Sequence, residues 1–318
     1  MTRAVVFAYH NVGVRCLKVL LAHGVDVPLV ITHADDPGET QWFDSVAATT
    51  ADYGIATIAP GDPNTPDVRA QVAARAPDFL FSFYFRRMLA APLLAFPARG
   101  ALNMHGSLLP KFRGRAPVNW AVLTGERETG ATLHYMTTKP DSGDIVGQTA
   151  VPILPDDTAR EVFDKVTVAA EMTLDRALPG LIAGTAPRQP QDVAQGSYFG
   201  GRRPEDGVID WTREASTIHN LVRAVAPPYP GAFTAIGGVG ARILRTRVVE
   251  GASPPTLAPT LAVRDGRFHA HCGGGGTLHV LSLEIDGAIA GPQAFAARFG
   301  SAPVSLGERT DARVGAHP

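Results

Sequence analysis

Asn103 and His105 stand two residues apart in the run Leu102-Asn103-Met104-His105. Two residues is the repeat of a β-strand, so both side chains leave the same face. An amide beside an imidazole can donate a hydrogen bond to an oxygen gaining negative charge while the ring moves a proton. Gly106 follows and permits close backbone approach, and the loop beyond it carries Lys111, Arg113 and Arg115, cations suited to an anionic ligand. Downstream lies Pro140-Asp141-Ser142-Gly143-Asp144. A carboxylate such as Asp141 can hold the imidazole in one tautomer and keep it basic.

These side chains need a scaffold, and the first half of the chain supplies one. Segments 4–8, 28–32, 79–83 and 101–105 are short apolar runs separated by helical patterns at 14–22, 43–53 and 68–76. Uninterrupted apolar strands between helices predict a parallel sheet covered on both faces, a Rossmann-like doubly wound α/β fold. Segments 132–136 and 146–152 and a long helix near 158–178 extend the pattern. Asn103 and His105 then sit at the carboxyl end of a strand, where open α/β sheets bind ligands. The first strand is followed by a single glycine, Gly13, so the three-glycine dinucleotide fingerprint is missing, and no Walker A run occurs.

Beyond about Gly200 the texture changes. One helix, near 214–225, is stopped by Pro227-Pro228, and short β-branched runs punctuated by glycine follow at 233–236, 241–249, 261–264, 267–271 and 278–283. Strands of that length and spacing predict a small OB-like antiparallel β-barrel. The chain of 318 residues thus divides into a catalytic domain over 1–204, a barrel domain over 205–308 and a flexible tail over 309–318. Lys+Arg number 29 against 30 Asp+Glu, and residues 205–318 hold ten of each, so neither half is basic. A protein held to nucleic acid by counterion release needs an excess of basic groups. Cys16 and Cys272 are too far apart in sequence to suggest a disulfide framework. No apolar run is long enough for a membrane span, and the N-terminus does not read as a signal peptide, which predicts a cytoplasmic protein without stable membrane insertion.

The whole segment from Asn103 to Asp144 is more specific than its parts. Asn103-Met104-His105-Gly106-Ser107-Leu108-Leu109-Pro110, Arg113-Gly114-Arg115-Ala116-Pro117 and Asp141-Ser142-Gly143 resemble the folate-dependent formyltransferases. That family is marked by an Asn-x-His strand, a Ser-Leu-Leu-Pro…Arg-Gly…Ala-Pro loop and a downstream Asp-x-Gly. Further stretches are similar to one branch of it, which formylates UDP-4-amino-4-deoxy-L-arabinose in lipid A modification and polymyxin resistance. They are Val5-Val6-Phe7-Ala8-Tyr9-His10, Thr32-His33 with Pro37-Gly38-Glu39, Phe81-Ser82-Phe83-Tyr84, Arg202-Arg203-Pro204 and Val222-Arg223-Ala224-Val225. The resemblance covers roughly residues 3–250 and thins through the barrel.

What the resemblance implies is an N-formyltransferase using 10-formyltetrahydrofolate. His105 matches the general acid/base, Asn103 the oxyanion stabiliser and Asp141 the carboxylate that tunes the histidine; Asp144 is left to cap or order the turn. Arg87, Met88 and Leu89, and Thr137, Thr138, Lys139, Pro140 and Asp141, match backbone stretches that hold the folate, and Arg115 a neighbouring binding arginine. No metal is expected, because the formyl group arrives activated on the folate. Bifunctional members continue into a decarboxylating dehydrogenase; with the sequence ending at Pro318, that second activity is expected to be absent. The alternatives are methionyl-tRNA formyltransferase and the formyltransferase of another nucleotide-linked aminosugar. The acidic run Ala34-Asp35-Asp36-Pro37-Gly38-Glu39 makes a poor tRNA clamp, and Arg115 within Arg-Gly-Arg-Ala-Pro leans to the sugar branch. An idle folate or nucleotide sensor on the same scaffold would have no need of Asn103, His105 and Asp141 together.

Other residues carry two readings. His10 either touches the nucleotide or closes a turn, and Arg202 and Arg203 either meet its phosphates or solvate a linker. Lys111 and Arg113 read as a solvated loop, His134 as strand packing, and His219 as surface or packing. His269, His271, Cys272 and His279 have a spacing that fits no structural zinc module.

Overall fold

The computed structural model describes residues 1–36, 38, 41–251, 253–256 and 258–307. Pro37 and Glu39 of the acidic run, and the tail expected over 309–318, lie outside the described residues. The chain forms two compact units. One comprises residues 1–117, 128–152 and 163–200, the other residues 118–127, 153–162 and 201 onward.

In the first unit β1 (Arg3–Ala8) is apolar after its first residue and fully buried from Ala4 to Ala8. A strand with no polar face belongs at the centre of a sheet. The chain continues through α1 (His10–Ala22), β2 (Asp26–Ile31), α2 (Val46–Asp52), β3 (Thr57–Ile58), α3 (Pro66–Ala74), β4 (Phe79–Phe83), α4 (Ala91–Leu94) and β5 (Ala101–His105). Local sequence sets several helix starts. Ser45 accepts from the Ala48 N–H at 3.2 Å, and Thr65 caps α3 with Pro66 directly behind it. α1 begins at His10, four residues before the apolar period starts, and the His10 ring accepts the Asn11 N–H at 2.9 Å. Then come β6 (Arg113–Gly114), α5 (Pro117–Leu123), β7 (Glu128–Tyr135), β8 (Ile145–Pro152), α6 (Ala159–Ala183) and β9 (Tyr198–Phe199).

The main sheet has the order β3-β2-β1-β4-β5-β7-β8. β1 pairs with β2 and β4, and β4 with β5, all parallel. The order reverses at β1, which makes the crevice beyond β1 and β4 the switch point of the sheet. The parallel pattern stops there. β7 runs antiparallel to both β5 and β8, where the sequence had suggested more of the parallel array. β7 is buried almost throughout, and a fully buried antiparallel strand has the same apolar texture as a parallel one. β8 shows the difference, since half-buried and exposed residues alternate along it from Gly147 onward.

In the second unit α7 (Ala215–Val225) is followed by β10 (Ala232–Ile236), β11 (Val239–Val249), β12 (Thr260–Arg264), β13 (Arg267–His271), β14 (Thr277–Ile285), β15 (Ala288–Ile289), α8 (Pro292–Phe299) and β16 (Val304–Gly307). The order is β11-β10-β16-β12-β13-β14-β15, and a further pairing of β11 with β14 closes six of these strands into an antiparallel barrel. Its core joins Trp211, Ile218 and Val222 to Ile243, Phe268 and Leu283. A single boundary near Pro204 is too simple. The units divide after Gly200, and residues 118–127 and 153–162 belong with the barrel. The cause is hydrogen bonding to α7. The buried Arg223 guanidinium donates to the carbonyls of Val122 and Asp157, Asn119 donates to the carbonyl of Ala224, and His219 donates to the carbonyl of Pro155. Among the described residues no helix is long and apolar enough to cross a membrane.

Candidate active site

β5 carries Asn103 and His105 to the carboxyl end of the sheet. The His105 ring is buried, and its Nε2–H donates to the carbonyl of Phe112 at 2.8 Å. In the neutral ring the lone pair therefore sits on Nδ1. That nitrogen faces Asp141 Oδ1 at 3.5 Å, an ion-pair separation rather than a short hydrogen bond. Asp141 Oδ2 accepts the Gly114 N–H at 2.9 Å. Burial pushes the Asp141 carboxyl up, but the His105 ring, His134 and the Gly114 N–H outweigh burial and hold it well below the usual carboxylate range. Asp141 is thus an anion at neutral pH.

The loop bearing Asp141 is tightly fixed. Asp141 occupies the left-handed region at φ +49°. At Gly143 a Cβ would lie 2.0 Å from the Tyr135 carbonyl oxygen, so only glycine fits. Gln191 fastens the backbone through its side-chain amide, donating to the carbonyls of Asp141 at 3.3 Å and Gly143 at 2.5 Å.

His134 belongs to this cluster as well, beyond the packing role expected of it. Its register partner in β5 is Asn103. Its Nδ1–H donates to the carbonyl of Tyr135 at 2.9 Å, which leaves Nε2 to accept the Asn103 Nδ2–H at 3.1 Å. The same Nε2 lies 3.6 Å from Asp141 Oδ1. An amide has two hydrogens on its nitrogen, so this bond sets which way Asn103 faces and leaves it one more hydrogen to donate. The alternation of residues places His134 in a strand; its meeting with Asn103 follows only from antiparallel pairing.

The other expected contacts are distributed as follows. Leu89 is buried in an apolar cluster, with Phe85 and Met136 packed against it. Asn64 clamps the backbone on either side of Leu89, donating to the Met88 carbonyl at 3.0 Å and accepting from the Ala90 N–H at 2.7 Å. Arg87 lines a cavity of about 400 Å³ with Tyr9, His33, Ala34, Asp36 and Arg86. His33 in its wall is pushed down to about 4 by burial and by the neighbouring guanidinium groups of Arg86 and Arg87. Thr137, Lys139 and Ser142 knit their loop through the Thr137 hydroxyl and the Lys139 carbonyl, while Thr138 and Lys139 are exposed and Pro140 is half-buried. Arg115 is exposed, its backbone N–H held by the Phe199 carbonyl. His10, at φ +67°, packs its ring among Trp42, Phe43 and Phe163. Arg202 and Arg203 belong to the second unit, where the Arg202 guanidinium lies 5.0 Å from the centre of the Trp120 ring and both residues bond to Asp206.

A buried imidazole, an oriented amide and an anionic carboxylate meet at the strand end, groups whose chemistry can move a proton and stabilise a developing oxyanion. Residues 12–178 match the formyl transferase family and residues 202–300 the formyl transferase C-terminal domain. The first match covers more than half of the chain, and the chain belongs to the formyl transferase family. Solved structures share the fold at low identity. An N-formyltransferase from Helicobacter canadensis, in complex with folinic acid and dTDP-3-aminofucose, aligns with a TM-score of 0.69 at 20% identity over 90% of this chain and 100% of its own. The sugar 3N-formyltransferase WlaRD, solved with dTDP and 5-N-formyl-tetrahydrofolate, gives 0.69 at 20% over 91% and 99%. A sugar N-formyltransferase from Shewanella sp. gives 0.59 at 17% over 73% and 92%.

Proposed function

We propose that this enzyme transfers a formyl group from 10-formyltetrahydrofolate to the 4-amine of UDP-4-amino-4-deoxy-L-arabinose. The convergence of Asn103, His105 and Asp141 at the end of β5 carries the reading. The residues present suit a folate. Buried Leu89 and the partly buried Phe85 and Met136 of the same cluster offer an apolar wall for a flat ring, and the 137–141 backbone offers polar edges. The folate supplies an activated formyl group.

The attacking amine must lose a proton and the departing nitrogen must gain one. His105 Nδ1, the ring nitrogen not tied to Phe112, is the atom that carries it. Asp141 provides the counter-charge while the ring holds that proton. Asn103 donates its remaining amide hydrogen to the formyl oxygen as negative charge builds there, oriented by His134. Arg115, exposed on the loop after β5, is assigned to the anionic part of a substrate.

Two observations support an aminosugar acceptor. One is the sequence similarity to the UDP-sugar branch, and the other is the company of folded neighbours that were solved with dTDP or a dTDP-linked aminosugar. Incubation with 10-formyltetrahydrofolate and a panel of nucleotide-linked aminosugars tests the reading. The expected product is UDP-4-formamido-4-deoxy-L-arabinose, heavier than its amine by about 28 Da for the added carbonyl. Formylation of methionyl-tRNA at an equal or higher rate would overturn the acceptor and leave the formyl chemistry standing. A higher rate on a different nucleotide-linked aminosugar would replace the sugar alone.

A further inference from the structure

Two backbone groups of the loop between β5 and α5 orient the charged pair. The Phe112 carbonyl holds His105, and the Gly114 N–H holds Asp141. Neither group is held by the sheet itself. Phe112 sits in the left-handed region at φ +56°, a conformation a bulky residue keeps only when its surroundings impose it.

The surroundings are a strap of five residues, 195–199. Ser197 Oγ accepts the Phe112 N–H at 2.9 Å, and the Ser197 carbonyl accepts the Arg113 N–H at 2.9 Å. The Ser197 N–H donates in turn to the Pro110 carbonyl at 3.3 Å. β9 pairs with β6 in register, Arg113 with Tyr198 and Gly114 with Phe199, and the Phe199 carbonyl accepts the Arg115 N–H at 3.0 Å. The Phe112 and Phe199 rings stack with centres 5.4 Å apart. Backbone touches backbone along this seam. A Cβ on Gly114 would lie 2.2 Å from the Phe199 carbonyl oxygen, and one on Gly196 would lie 2.1 Å from that of Pro110. The strap thus grips the loop on both sides of the carbonyl that fixes His105.

We infer that Ser197 is a positioning residue for His105: its hydroxyl holds the Phe112 N–H, its main-chain carbonyl holds the Arg113 N–H, and the Phe112 carbonyl fixed between them imposes the Nε2–H tautomer on the ring. Ser197 is hydrogen-bonded to Pro110, Phe112 and Arg113, and to neither His105 nor Asp141. Losing its hydroxyl releases the Lys111–Phe112 peptide, so Phe112 is no longer pinned on both sides of its Cα, leaves the left-handed region and carries its carbonyl away from Nε2. The neutral ring redistributes its proton between the two nitrogens, and Nδ1 ceases to be the constant site of proton exchange. The inference rests on the proposed role of His105 for its kinetic consequence, though not for the tautomer itself.

The test compares wild type, Ser197→Ala and Ser197→Thr, the last of which keeps a hydroxyl. The ¹⁵N resonances of the His105 ring, followed through a pH titration without substrate, report the tautomer directly. Wild type should hold the Nε2–H form, Ser197→Ala should show a mixture, and Ser197→Thr should return to the wild-type pattern. In formyl transfer, Ser197→Ala should lose roughly tenfold in kcat, about the worth of one hydrogen bond, with KM for both substrates little changed. An unchanged tautomer in folded Ser197→Ala overturns the inference, and so does a loss confined to KM or one that Ser197→Thr fails to restore. If the tautomer moves as expected while wild type formylates none of the aminosugars, the positioning role stands and the functional reading falls.

Discussion

Replacing His134 by Phe tests how Asn103, the proposed oxyanion donor, is aimed. The phenyl ring is close to imidazole in size, so the buried site stays filled, but the acceptor at 3.1 Å from Asn103 Nδ2 is lost. Asn103 then has no bond that distinguishes its nitrogen from its oxygen, and a fraction of molecules presents the carbonyl where the donor is needed. A net hydrogen bond of this kind is worth about 0.5–1.5 kcal/mol, which converts to a loss of roughly two- to twelvefold in kcat. Removing the donor altogether, in Asn103→Ala, should cost on the order of 10²–10³. Initial rates of formyl transfer for the two single variants and the double variant close a cycle. If His134 acts through Asn103, adding His134→Phe to Asn103→Ala costs almost nothing more. His134→Gln, which keeps an acceptor, should fall between wild type and the Phe variant. Multiplying losses in the double variant would refute this reasoning and place the action of His134 on Asp141, 3.6 Å away.

Three further outcomes follow from the same geometry. His105→Ala should lower kcat by roughly 10²–10⁴, the span for a lost general acid/base, and near-wild-type turnover would remove His105 from the chemistry. 5-Formyltetrahydrofolate at about 100 times its Kd should stabilise the protein by about 2.7 kcal/mol, read as a rise in Tm, and no rise with the folded protein at millimolar order would count against folate binding. His33 has a folded value of about 4 against an ordinary 6.5, so the unfolded chain takes up its proton first as the pH is lowered. Stability therefore falls from about pH 6.5 to about pH 4, and no further below; allowing for the screening of a half-exposed ring, the loss is about 1–2 kcal/mol. Denaturant unfolding of His33→Gln should show a flatter dependence across that window, and an identical slope in the two proteins would contradict the assignment.

Much of this molecule was legible from residue order. The apolar runs of β1, β4 and β5 announce buried strands, and the glycine-punctuated runs after Pro228 announce the barrel, because burial on two faces and tight antiparallel turns each impose a composition. Asn103, His105 and Asp141 were legible for another reason. An imidazole, an amide and a carboxylate are chemically conspicuous, and these three side chains lie together at the end of β5. The grouping of residues 118–127 and 153–162 with the barrel was not legible. It rests on the side chains of Arg223, Asn119 and His219 donating to main-chain carbonyls, and every residue has a carbonyl.

The remaining gap has one physical origin. Periodicity reports how many faces of a strand are buried, and it is silent on strand direction. Direction decides which residues meet. With β7 antiparallel to β5, His134 stands opposite Asn103, and the chain leaving β7 must turn at residues 137–143 before it can enter β8. That turn carries Asp141, and Gly143 allows it to close against Tyr135. One reversal of direction therefore provides both the residue that aims the amide and the carboxylate that faces the imidazole. A parallel β7 would need a crossover of a dozen or more residues after Tyr135, and the nine residues between Tyr135 and Ile145 are too few for one. The length of that connection was the signal in the sequence from which the antiparallel pairing, and with it the place of His134, follows.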